Sequence, residues 1–125
     1  MKSIINTPNA PAPIGPYNQA ILIHNTLYVS GQIALDPSSG ELILSDIQTE
    51  TKQVMNNLQE VLRAADFTFG NVVKCSIFVK NMNQFSAINE AYGSFFPVDP
   101  PARETVEVSR LPKDVNVEIS CIAVR

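Results

Sequence analysis

The chain has 125 residues, enough for one domain with one real core and no second. Hydrophobic residues make up 45% and charged residues 17%, a globular composition that excludes intrinsic disorder. Nine Lys and Arg against twelve Asp and Glu give a net charge of −3, and no basic cluster occurs, which argues against a nucleic-acid-binding surface. The low charged fraction in so small a chain suggests apolar surface covered by a partner subunit.

Residues 2–6 form a short candidate strand. The loop after it carries Pro8, Pro11, Pro13 and Pro16, whose fixed φ values forbid a helix. It reads either as an ordered connector or as a frame that holds Tyr17. Tyr17 to Ile23 and Thr26 to Ser30 read as a hairpin around His24-Asn25. Asp36 to Gly40 is a loop, with a short extended piece at Glu41 to Leu44. Ser45-Asp46-Ile47-Gln48 opens a helix, with Ser and Gln spaced as in a capping box. Ile47, Thr51, Val54, Met55, Leu58, Val61, Leu62 and Ala65 follow helical spacing on one face, and Gln53, Asn57, Gln59, Glu60 and Arg63 face away. Such a helix lies on a sheet.

Asn71 to Lys80 is the strongest strand, with Val73, Cys75, Ile77 and Val79 on one face. Gln84 to Phe96 is a second helix with Phe85, Ile88, Ala91, Tyr92 and Phe95 on its apolar side, and Pro97, Pro100 and Pro101 end it. Two strands follow, Arg103 to Val108 and Val115 to Ile122, joined at the proline-led turn Leu111-Pro112-Lys113-Asp114. The order β-β-β-α-β-α-β-β predicts an α+β layer, a mixed sheet with two helices on one face, in a single domain spanning residues 1–125.

Cys75 and Cys121 sit in apolar strand-like runs and read as small buried hydrophobes. No apolar run is long enough for a membrane span and no apolar leader follows Met1, so the sequence reads as cytoplasmic. His24 is the single histidine, and no His/Cys/Asp grouping has metal-ligand spacing. No glycine-rich phosphate loop occurs, and the chain reads as cofactor-free.

The segment from Pro101 to Ile119 carries the chemistry. Period 2 places Val106 and Val108 on one face of its first strand, as buried residues, with Arg103 and Thr105 on the other. In the second strand Val115, Val117 and Ile119 share a face and Glu118 takes the other. Arg103 could form a surface salt bridge or fork onto a ligand carboxylate with two parallel hydrogen bonds. Glu118 lies in an almost wholly apolar run, so it is either solvated or held near a pocket where partial burial would make it a better base. Tyr17 could pack or donate its hydroxyl hydrogen. At Ser30-Gly31 a hydroxyl and a backbone N–H could converge on an anion at a strand end.

Pro101-Ala102-Arg103, an alternating strand, Leu111-Pro112-Lys113 and Val117-Glu118-Ile119 closely resemble the diagnostic motif of the RidA (YjgF) family. Ala10-Pro11-Ala12-Pro13-Ile14-Gly15-Pro16-Tyr17 and Ser30-Gly31-Gln32-Ile33 match two further family stretches, and the resemblance covers essentially the whole chain. It implies a chorismate-mutase-like subunit in a homotrimer with pockets between subunits. The implied activity is hydrolysis of reactive 2-imino acids and enamines, released by pyridoxal-phosphate enzymes, to 2-keto acids and ammonia. On this resemblance Arg103 binds the substrate carboxylate, Glu118 activates the attacking water, and Tyr17 is a candidate proton donor. Ser30, Gly31, Asn89 and Thr105 complete the implied site, with no metal, cofactor, nucleic acid or membrane. Thr105 stands where many members carry cysteine, so a cysteine nucleophile there is excluded. Glu104 replaces a usually small residue, and the Phe96 to Pro101 connection is shorter than in some relatives. A ligand-sensing protein using the same cleft, and less so a nuclease or translation inhibitor, are the competing readings.

Overall fold

A computed structural model describes residues 1–125. The strands are β1 (Ser3–Ile5), β2 (Ala20–Ile23), β3 (Thr26–Gln32), β4 (Val72–Val79), β5 (Ala102–Glu107) and β6 (Val117–Val124), and the helices are α1 (Ile47–Ala64) and α2 (Phe85–Gly93). They follow the expected order and build one six-stranded sheet, β1-β2-β3-β6-β4-β5, in which only the β4–β5 pair is parallel. That pair is bridged by α2, the kind of crossover parallel strands require.

The turn at Leu111 to Asp114 does join β5 to β6, but the two strands are not neighbours, because β4 lies between them. The connection passes over the end of β4, where Val108 N donates to Val79 O at 2.9 Å and Lys80 N to Asn116 O at 2.9 Å. A proline-led turn reads the same in sequence whether it closes a hairpin or carries the chain across a strand end.

Both helices cover one face of the sheet. Leu27, Val29, Cys75, Ile77, Val79, Ile119 and Cys121 point into that layer and meet the buried stripe of α1 and Ile88 and Tyr92 of α2. Both cysteines are free and buried, as small hydrophobes. No element covers the other face, where register places Ile4, Ile21, Tyr28 and Ile122 in one row and Val106, Phe78 and Glu118 in another. Ile4 is 57% exposed, Tyr28 49% and Val106 40%. The expectation that β5 buries its valines therefore fails in the single chain: Arg103 and Thr105 take the helix-covered side and Val106 the open one.

Local details also differ from the pattern reading. The cap of α1 is Asp46, whose carboxylate accepts from Thr49 N at 2.8 Å, so the helix starts one residue later than the Ser45 box implied. Asn57 is buried rather than solvent-facing, because it donates to the carbonyls of Ile33 and Leu35, both at 2.9 Å. In β4 the register shifts between Val72 and Lys74, so Val72 turns inward and Val73 outward.

Candidate functional site

The site begins with an irregularity in β3. Val29 pairs with Cys121 and Gln32 with Ile119, so Ser30 and Gly31 together oppose Ser120. This bulge breaks the alternation: Val29 and Gln32 are both buried, and the two residues between them lie beside Glu118 on the uncovered face. The strand was expected to end at Ser30, but it bulges there and continues to Gln32.

Tyr17, Ser30, Gly31, Gln32, Lys113 and Glu118 line a cleft of about 370 Å³. Pro11, Ala12 and Ile14 of the proline loop form one wall, and Ile33 and Leu35, held by Asn57, form another. The proline loop is tied down by a residue that the sequence reading passed over. Gln19 is 2% exposed, its Oε1 accepts from Thr7 N at 2.6 Å, and its Nε2 donates to Thr7, Ala10 and Pro11 carbonyls at 3.0, 3.2 and 2.8 Å. A buried amide with both ends saturated fixes a stretch of backbone that has no ladder of its own. Its only signal in the sequence is a glutamine at the entry to an apolar strand.

Lys113 belongs to the proline-led turn Leu111 to Asp114. It lines the cleft with φ of 56°, and Asp114 follows with the same φ, left-handed geometry that costs a side-chain-bearing residue energy. Arg110 holds this turn through a two-point pair with Asp114, Nε to Oδ1 at 2.6 Å and Nη2 to Oδ2 at 3.1 Å.

Glu118 is half-buried and forms no hydrogen bond or ion pair within the chain. Burial alone pushes its carboxyl above the ordinary carboxylate range. Nearby, the Tyr17 hydroxyl oxygen accepts from Ile14 N at 3.3 Å, which leaves its hydrogen free to donate into the cleft. The Ser30 hydroxyl donates to Asn18 O at 2.6 Å, so it presents only acceptor capacity. The Ser30 hydroxyl proton is thus directed at backbone and not into the cleft.

Arg103, Asn89 and Thr105 do not line that cleft. On the helix-covered side of β5 the Arg103 guanidinium lies 5.5 Å from the Phe85 ring centroid and 5.3 Å from that of Tyr92, and its Nη1 donates to Asn89 Oδ1 at 2.5 Å. These contacts hold the guanidinium while leaving most of its donors unused, and no carboxylate pairs with it. The Thr105 hydroxyl is buried beside it without a partner. Glu104 points the other way, paired with Lys74 at 2.9 Å and hydrogen-bonded to Ser76. Residues 97–101 do not line the cleft either.

Comparison with known proteins places this arrangement. The family model described as Endoribonuclease L-PSP matches residues 7–125. The chain belongs to this family, the YjgF/RidA family. A RutC family protein of Pyrococcus horikoshii is 49% identical, covering 98% of each chain. The 2-iminobutanoate/2-iminopropanoate deaminase of Mus musculus is 45% identical over all of this chain and 93% of its own length. The crystal structure of the YjgF gene product from E. coli superposes with a TM-score of 0.94 at 43% identity, covering 98% of each chain. The α+β fold of this RidA-family chain, with its mixed sheet and two helices, is that of the YjgF-like structures. No helix is long and apolar enough to cross a membrane.

Proposed function

We propose that the protein is a cofactor-free deaminase that hydrolyses 2-imino acids, such as 2-iminobutanoate and 2-iminopropanoate, and their enamine tautomers to 2-keto acids and ammonia. The observation that carries this reading is the half-buried Glu118 carboxylate, unpaired and raised in pKa, facing the cleft that holds the Tyr17 hydroxyl. Such a group takes a proton from water more readily than an ordinary carboxylate. The mammalian relatives named as deaminases support the same chemistry.

An enamine first gains a proton at carbon, from Tyr17 or water, to become the iminium, the protonated form of the imine. Water then adds to the C=N carbon as Glu118 takes one of its protons, giving a carbinolamine. Glu118 returns that proton to nitrogen. The C–N bond breaks with its electron pair on the departing ammonia, and as the carbonyl forms the hydroxyl proton passes to the tyrosinate or hydroxide that the first step left behind. Imine plus water thus yields keto acid plus ammonia.

Arg103 grips the substrate carboxylate in a two-point fork, with Thr105 and Asn89 at its side. Because Arg103 and Glu118 lie on opposite faces of the sheet, the complete site needs Arg103 from one copy and the cleft from another. A homotrimer of chorismate-mutase-like subunits, in which the β5 edge carrying Arg103 of one copy meets the cleft of the next, satisfies this requirement. We place it in the cytoplasm, where two free cysteines suit a reducing compartment. The net charge of −3 without a basic cluster disfavours RNA as substrate despite the family model's name.

The test generates imine in situ with a serine or threonine dehydratase and traps free imine with semicarbazide. Wild-type protein is expected to divert imine to keto acid, and Arg103→Ala to fail while keeping its assembly. Ligand affinity without turnover in wild type would replace the deaminase with a sensor.

A further inference from the structure

Nothing polar fixes the catalytic carboxylate proposed above. Glu118 accepts no hydrogen bond, and Lys113, the cation lining the same cleft, does not pair with it. Catalytic carboxylates need placement to well under an ångström, so something else must locate this one. The contact that does so is steric. A Cβ built on Gly31 would lie 2.2 Å from Glu118 Oε2, 2.9 Å from Cδ and 3.1 Å from Cγ. These are its nearest neighbours, and all three belong to Glu118.

Gly31 is not needed for its backbone angles, since the one glycine with positive φ is Gly40, at 75°. Position 31 would accept a side chain conformationally. We propose that Gly31 is a positioning residue: the missing side chain on the β3 bulge is the notch in which the Glu118 carboxylate rests. The notch sets the location and hydration of the base while leaving every carboxylate lone pair free for water and substrate. Its bulge partner Ser30 is anchored by its hydroxyl to Asn18 O and by its N–H to Gln19 O at 2.9 Å, so the wall of the notch is rigid. A side chain at 31 would displace Glu118, the flexible party, towards the open cleft.

The kinetic consequence rests on the deaminase reading, whereas the displacement itself does not. The test therefore pairs carboxyl-carbon NMR titration of Glu118, assigned with Glu118→Gln, with steady-state kinetics in wild type, Gly31→Ala, Glu118→Asp and the double variant. In Gly31→Ala the Glu118 pKa is expected to fall towards the ordinary carboxylate value, and the acid limb of the rate profile to move with it. The kcat should fall about tenfold or more with KM changed less than about threefold. Added to Glu118→Asp, whose shorter side chain withdraws from the notch, Gly31→Ala should cost less than about threefold, because coupled residues are not additive.

An unchanged Glu118 titration in Gly31→Ala overturns the proposal, as does a rise in KM with kcat intact, which would make Gly31 a substrate contact alone. Should Gly31→Ala fail to fold while the double variant folds, the overlap is upheld. Failure of both overturns it. If wild type turns over no imine, the deaminase reading falls and the titration still decides the notch.

Discussion

Arg103 and Glu118 flank the same strand, β4, and point to opposite sides of the sheet. Arg103 is in register with Cys75, which faces the helices, and Glu118 with Phe78, which faces the open side. A pleated sheet separates such residues by its own thickness, so one copy of the chain cannot bring them to one substrate.

This geometry makes a complementation experiment decisive. Arg103→Ala and Glu118→Gln proteins should each be inactive. Unfolded together and refolded into mixed copies of the proposed trimer, they should regain activity, because some interfaces pair an intact Arg103 with an intact Glu118. Random assembly of equal amounts in a ring of head-to-tail interfaces restores about a quarter of the sites. Activity of the mixture no greater than that of the separate variants would show that both groups act within one chain. Sedimentation should give three times the 13.7 kDa chain mass for every variant.

The pH response of Glu118 follows from its burial. The base works deprotonated, so kcat/KM should rise with pH through a pKa above the ordinary carboxylate range, and this limb should vanish in Glu118→Gln. Stability runs the other way. A carboxyl with a raised folded-state pKa favours folding fully below its unfolded-state pKa, and that contribution is lost as pH rises through the folded-state value. Glu118→Gln should therefore melt higher than wild type at neutral pH, with the gap closing on acidification below the ordinary carboxylate range. A gap that does not change with pH would mean that the carboxyl is not perturbed.

Gln19 should behave as a latch on the proline loop. Replacing it with Ala leaves the Thr7 N–H and the Thr7, Ala10 and Pro11 carbonyls without their partner, some of them buried. A cost of about 2–4 kcal/mol is expected from unsatisfied buried groups, read by chemical denaturation. Hydrogen exchange should speed up at Thr7, Tyr17 and neighbouring amides, and KM should rise because Ile14 and Tyr17 no longer hold the cleft wall. Wild-type exchange in that segment would remove the latch.

The order of strands and helices, the buried stripe of α1 and the inward Cys75 and Cys121 could all be read from the sequence. These are consequences of period 2 and period 3.6, which act over a few residues and need no knowledge of partners. The same local logic explains the errors. Asn57 and Gln19 look solvent-facing or unremarkable because their partners, the 33–35 and 7–11 backbones, lie far off along the chain. The bulges at Ser30-Gly31 and Val73 shift parity by one residue, which no alternation pattern records.

By itself, then, the sequence determined the elements, most of the apolar core and, through its motifs, the family and the residues worth testing. Only the tertiary structure decided which side of the sheet each of those residues occupies. Strand adjacency is set by long-range pairing: β4 inserts between β5 and β6, and the β3 bulge turns both Ser30 and Gly31 towards Glu118. That is why Tyr17, Ser30, Gly31 and Glu118 share one cleft, while Arg103, Asn89 and Thr105 wait on the other side of the same sheet.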